Sequence, residues 1–189
     1  MRPWRAIGEK ALMNFIQQLV EKYNGDYSQE LTKTFYSPMG TLTYQPKEGI
    51  IVVDGTKIKI SLNEAGGAMR TTDPFRIVLF LDKNYYKRLE IYPSINFNYI
   101  TDLLFQPKGL VIPKVLKRRF SFRGDVELLK NLVSDQIFCD NLMHEEFYLT
   151  LDDKFPKSLM LTPAYGIFSI EHFEKMIVLL KRIEYYIKA

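Results

Sequence analysis

Ile50-Ile51-Val52-Val53-Asp54-Gly55-Thr56-Lys57-Ile58-Lys59-Ile60-Ser61-Leu62 is the stretch that decides the fold. Two aliphatic, β-branched runs flank Asp54-Gly55, and Asp-Gly suits the left-handed two-residue turn that joins twisted antiparallel strands. In the second run Ile58, Ile60 and Leu62 share one face, while Lys57, Lys59 and Ser61 share the other. That alternation predicts a hairpin with one buried and one wet face. The dry face needs an apolar cover, and the neighbouring segments offer helices.

On the N-terminal side, Ile7, Ala11, Leu12, Phe15, Leu19, Val20 and Tyr23 recur at three- and four-residue steps, predicting an amphipathic helix over 6–23. Asn24-Gly25 ends it, with Gly25 available for the left-handed cap. On the C-terminal side, Asn63 to Pro74 holds Gly66-Gly67 and few apolar groups, and reads as a long loop. Phe75 to Leu81 is almost continuously apolar and reads as a central strand. Arg88 to Tyr92 alternates, with Leu89 and Ile91 inward and Pro93 as the stop. A short helix is expected over 100–105, then short strands at 110–112 and 120–122 with a basic stretch between.

Asp125 is the expected N-cap of a helix that turns Leu128, Leu129, Leu132 and Val133 inward, breaks near Ser134 and resumes through Ile137, Phe138, Leu142 and Met143. Phe147, Leu149 and Leu151 mark one strand, Leu159 and Leu161 another, with 152–157 as the turn. Ser169 caps a last helix that lines up Ile170, Phe173, Ile177, Leu180 and Ile187. This order predicts an α+β fold: a curved antiparallel sheet with helices packed mainly on one face, in two weakly duplicated halves.

The chain has 189 residues, 47% of them hydrophobic and 25% charged, which supplies a core and excludes a disordered or collagen-like chain. A single domain over 1–189 is expected, with sub-halves 1–105 and 124–189 joined by a basic connector, 106–123. One cysteine, Cys139, excludes an intrachain disulfide. The basic start Met1-Arg2-Pro3-Trp4-Arg5 is not followed by the apolar run of a signal peptide. The longest apolar runs, 77–81 and 177–180, fall far short of the roughly 20 residues that a membrane span needs. A soluble, cytoplasmic protein without a transmembrane segment is the expectation.

Motifs that carry chemistry are sparse. Cys139, Asp140, His144, Glu145, Glu146 and His172 have metal-ligand side chains, but one cysteine and two histidines cannot close a structural zinc site. His144-Glu145-Glu146-Phe147 lacks the second histidine of a zinc peptidase. Cys139 has no basic neighbour to activate it and reads as an inert thiol. No catalytic residue, metal or cofactor is indicated. Gly66, Gly67, Arg70 and Thr71 have ingredients of an anion-binding loop, glycines that expose backbone amides beside side-chain donors. They lack the Gly-Lys-Ser/Thr of a P-loop, and the plainer reading is a connection between strands.

The basic segment is the most distinctive feature. The formal net charge is +4, yet residues 106–123 alone carry six cations, Lys108, Lys114, Lys117, Arg118, Arg119 and Arg123, and no acid. Residues 124–189 carry seven cations against eleven acids. Lys114, Lys117, Arg118, Arg119 and Arg123 are the candidate anion-binding residues, suited to nucleic-acid phosphates or acidic lipid headgroups. The Tyr85-Tyr86 and Tyr185-Tyr186 pairs cannot both face inward, so some tyrosines are exposed, as at protein interfaces. Two classes remain: a non-enzymatic interaction or scaffolding domain with a protein partner or as a homodimer, and a peripheral binder of anionic nucleic acid or lipid surfaces.

Overall fold

Phe15, Ile16, Leu19 and Val20 are spaced to bury one helical face, and helix α1 (Phe15–Lys22) buries all four. The computed structural model describes residues 15–37, 40–67, 73–94, 110–143, 145–167 and 169–189. The chain forms two compact units, 1–77 and 78–189. At the end of α1 the Gly25 amide donates to the Val20 carbonyl at 2.8 Å and the Asn24 amide to Glu21 at 3.3 Å. The left-handed residue of this cap is Asn24 (φ 49°), not Gly25 as expected. Gly25 serves close approach instead, because a Cβ there would lie 2.2 Å from the Ile50 carbonyl oxygen. Asparagine tolerates the left-handed conformation, which releases the glycine for that contact.

Strands β1 (Asp26–Gln29) and β2 (Lys33–Ser37) pair antiparallel with successive parts of β3 (Gly40–Val53). β3 pairs with β4 (Thr56–Gly67) from Val53 opposite Thr56 to Leu42 opposite Gly67. Asp54 and Gly55, at φ 46° and 75°, close the hairpin as the type I′ turn requires. Ile51, Ile58 and Ile60 are buried, and α1 lies over them at Gly49. A Cβ on Gly49 would come within 2.7 Å of a Val20 methyl. β4 corrects the expected loop at 63–74: Asn63 to Gly67 are held in the ladder by the fourteen-residue β3, although they show no alternation. β5 (Asp73–Phe80) lies beside β4, with Phe75, Ile77 and Leu79 buried on one face.

The second unit contains β6 (Leu89–Pro93), α2 (Lys114–Arg119), β7 (Phe120–Gly124), α3 (Val126–Ser134), α4 (Gln136–Leu142), β8 (Phe147–Leu151), β9 (Ser158–Pro163) and α5 (Ile170–Lys188). Its strand order is β9-β8-β6-β7, antiparallel throughout. α3 and α4 pack on α5, α3 also reaches β7, and α5 reaches β9. The fold is α+β with an antiparallel sheet.

The strand expected at 110–112 does not form, and the basic stretch after it is helix α2. It buries only Leu116, so it presents no apolar period to read. The helix expected over 100–105, and the part of the first helix before Phe15, lie outside the described residues. The break near Ser134 is made by Asp135, which ends α3 and caps α4 by accepting from the Phe138 amide at 3.1 Å. Ser169 and Asp125 cap their helices as expected, accepting from the His172 and Leu128 amides.

Candidate functional site

Pro113 occupies the N-cap position of α2 at φ −53°, and the Lys117 amide closes the first turn on its carbonyl at 3.0 Å. Lys117, Arg118 and Arg119 occupy the last turn, where unpaired carbonyl ends favour cations. Lys114, Lys117 and Arg118, at i, i+3 and i+4, are exposed. Two apolar side chains stand among them: Val111 is 85% exposed and Val115 53%.

The other two candidate cations have different settings. Arg119 is half-buried and its guanidinium donates to the Met143 carbonyl at the end of α4. Arg123, on β7, stacks on the Tyr92 ring with its guanidinium carbon 5.1 Å from the centroid. The basic segment is therefore not one uniform strip. Lys114, Lys117 and Arg118 face solvent, whereas Arg119 and Arg123 are built into the unit. Lys108 lies outside the described residues.

Arg118 and Arg119 also border a cleft made of two adjoining depressions of about 640 and 450 Å³ that share Arg119, Glu146 and Tyr165. In the larger one, Arg118 faces a wall that includes Pro93, Ser94 and Tyr148. Tyr148 is 48% exposed and Tyr165 72%. Tyr148 alternates with buried Phe147 and Leu149 on β8, so the strand itself turns its ring outward. Tyr165 follows β9, and its hydroxyl is raised above its ordinary range, first by its hydrogen bond to Glu146 and then by that carboxylate's charge.

In the smaller depression His172 and Glu145 meet, with Nε2 and Oε2 2.7 Å apart and both side chains largely buried. Ser169 and Lys175 line the same wall. The Ser169 hydroxyl accepts from the His172 amide and thereby serves as a helix cap. This His–Glu contact joins residues 27 apart in sequence, and sequence spacing gave no sign of it.

Cys139 is half-buried, its Sγ 3.4 Å from the Val133 carbonyl oxygen. Burial pushes its thiol up, and the charges of Asp135 and Asp140 push in the same direction. Asp140 accepts from Gln136, and His144 lies outside the described residues. Among the described residues, no three His, Cys, Asp or Glu side chains gather as metal ligands would. No helix among them is long and apolar enough to cross a membrane.

Gly66 and Gly67 stand in the β3–β4 ladder opposite Thr43 and Leu42, so they are strand and not loop. Arg70 and Thr71 lie outside the described residues. In each tyrosine pair one ring is out and the other is tied in. Tyr86 is exposed in a left-handed conformation (φ 55°), while the Tyr85 hydroxyl donates to Asp82 at 3.0 Å. Tyr185 is exposed, while Tyr186 hydrogen-bonds Asp135.

No protein family, curated protein or solved structure matches this chain.

Proposed function

We propose that this protein is a non-enzymatic interaction module that engages a protein partner through the cleft bordered by Arg118, Arg119, Tyr148 and Tyr165. The observation that carries this reading is two exposed tyrosines and two arginines around one shallow depression. Tyrosine and arginine dominate the energetics of protein interfaces, because each offers a large, stiff contact area with a polar end. The side chains that would otherwise suggest catalysis are committed elsewhere. Ser169 caps a helix and the Cys139 thiol is shifted away from the thiolate.

The test places a photo-crosslinking residue at Ala164, on the cleft wall, and separately at Ile137, an exposed residue that does not line the cleft. A partner should crosslink from position 164 and not from 137. Its complex should weaken at least about tenfold in the Tyr148→Ala/Tyr165→Ala variant, at unchanged circular dichroism. Equal crosslinking from both positions, together with wild-type binding by the double variant, would overturn the reading.

A second reading is favoured by the exposed face of α2: a peripheral binder of anionic surfaces through Lys114, Lys117 and Arg118, with Val111 and Val115 beside them. That reading expects retention on phosphatidylserine vesicles or oligonucleotide at low salt and steep release as salt rises. A partner held through the tyrosine cleft depends on salt far less.

A further inference from the structure

We infer that the partner segment in the cleft is proline-rich and docks as a polyproline II helix; this rests on the interaction-module reading above. The lining favours neither sign of charge. Arg118, Arg119 and Lys175 line the two depressions, and so do Glu145, Glu146 and Glu171, three cationic side chains against three carboxylates. A strongly acidic or basic segment therefore meets repulsion as well as attraction. Among the described residues, no leucine, isoleucine, valine or phenylalanine lines either depression, so an amphipathic helix finds no pocket for aliphatic anchors. Strand addition needs an open sheet edge, and β8, which carries Tyr148, has β6 on one side and β9 on the other.

What the cleft offers is two exposed aromatic rings on hydrogen-bonded backbone. Tyr148 stands opposite Thr162 of β9 and is turned outward by β8. Beyond β9 the Ala164 amide continues the pairing by donating to the Glu146 carbonyl at 2.8 Å, and the Gly166 amide turns back on the Pro163 carbonyl at 3.5 Å. Tyr165 sits in that turn, just before Gly166 in the left-handed region (φ 80°). The Tyr165 hydroxyl, bound to Glu146, also feels the charge of Tyr148, which makes the two tyrosines neighbours. Aromatic rings lining a groove are what polyproline II segments recognise. Such a segment makes no internal hydrogen bonds, so its prolyl rings can stack on tyrosine faces while its carbonyls accept from outside donors. The Tyr148 hydroxyl and the Arg118 guanidinium are donors at the same depression. Proline also fixes φ in the free segment, so little conformational entropy is lost on docking. A shallow depression with little apolar lining needs that saving.

The experiment is fluorescence anisotropy on the full chain with labelled decapeptides: decaproline, alternating glycine and serine, and alternating glutamate and valine. Decaproline should bind at least about tenfold tighter than either of the others. Its affinity should change less than about threefold between about 0.1 and 1 M salt, because no ion pair holds it. Tyr148→Ala/Tyr165→Ala should weaken it at least about tenfold, whereas Tyr148→Phe/Tyr165→Phe, which keeps both rings, should weaken it less than about threefold. Equal affinity for decaproline and the glycine–serine peptide, tighter binding of the glutamate peptide, or decaproline binding that ignores the loss of both rings would each overturn the proline-rich assignment. The two readings fail separately. If the partner's complex depends on Tyr148 and Tyr165 while decaproline does not bind, the proline-rich occupant is wrong and the cleft reading stands. If the partner ignores both tyrosines, the cleft reading falls and the occupant falls with it.

Discussion

Asp135 is the residue on which most of the second unit's helices converge. Its backbone amide donates to the Leu132 carbonyl at the end of α3, while its side chain caps α4, accepts from Arg182 Nε at 2.7 Å and hydrogen-bonds Tyr186. Burial alone would push its carboxyl upward. The Phe138 amide, the Arg182 guanidinium and the Tyr186 hydroxyl outweigh that effect and hold it below the ordinary aspartate value. A carboxyl whose folded-state pKa is depressed adds stability above its unfolded-state value, and the addition is lost as pH falls through the folded-state value. Asp135→Asn keeps an N-cap of equal quality but removes the charge, so it should cost about 2 kcal/mol at neutral pH. Asp135→Ala should cost about 1 kcal/mol more, because the cap goes as well. Urea unfolding at neutral pH and near pH 3 checks both statements. The gap between wild type and Asp135→Asn should be full at neutral pH and should close below about pH 4. A gap of the same size at both pH values would mean that the carboxylate charge contributes nothing.

At the scale of elements, the packing of α1 on β3 turns on the missing side chain of Gly49. A Cβ there would meet methyls of Val20 at 2.7 Å and Ile16 at 2.9 Å. Gly49→Ala should therefore cost about 1–3 kcal/mol by overpacking and should speed amide exchange in α1 more than in the β3–β4 hairpin. Uniform exchange across both elements would count against that placement of the strain. The hairpin itself was legible in sequence because its signals agree locally: a two-residue turn at 54–55, β-branched side chains on both sides of it and alternation over residues 57–62. Helix α2 was not legible, since six residues with one buried leucine carry no period. Residues 63–67 were not legible either, because their strand conformation comes from the register of β3 and not from their own alternation. The cleft was the least legible feature. Its walls come from residues near 93, 118, 148 and 165, brought together by strand pairing that no local pattern encodes. One component was readable: Tyr148, between two inward residues of an alternating strand, had to point outward.

For the whole molecule, the net charge of +4 conceals an excess of six cations in residues 106–123 and a C-terminal third with more acids than bases. Among the described residues, the structure separates Arg119 and Arg123, which make contacts within the unit, from exposed Lys114 and Arg118. Arg119 is tied to the Met143 carbonyl and Arg123 is stacked on Tyr92, so reversing either would confound binding with folding. Lys114 and Arg118 are exposed, and substitutions at such positions usually change stability by no more than about 0.5 kcal/mol. The Lys114→Glu/Arg118→Glu variant should therefore keep the wild-type melting temperature while losing affinity for the vesicle and oligonucleotide probes of the second reading. Salt offers an independent control. Exposed charges are screened as the Debye length shrinks from about 10 Å at 0.1 M to about 3 Å at 1 M, whereas the buried Asp135–Arg182 pair is screened much less. Across that range, retention on phosphatidylserine vesicles or oligonucleotide, the probes of the second reading, should fall steeply while the melting temperature changes little. If the double variant melts well below wild type, α2 is a structural element whose cations hold the unit together, and the case for a binding edge loses its basis.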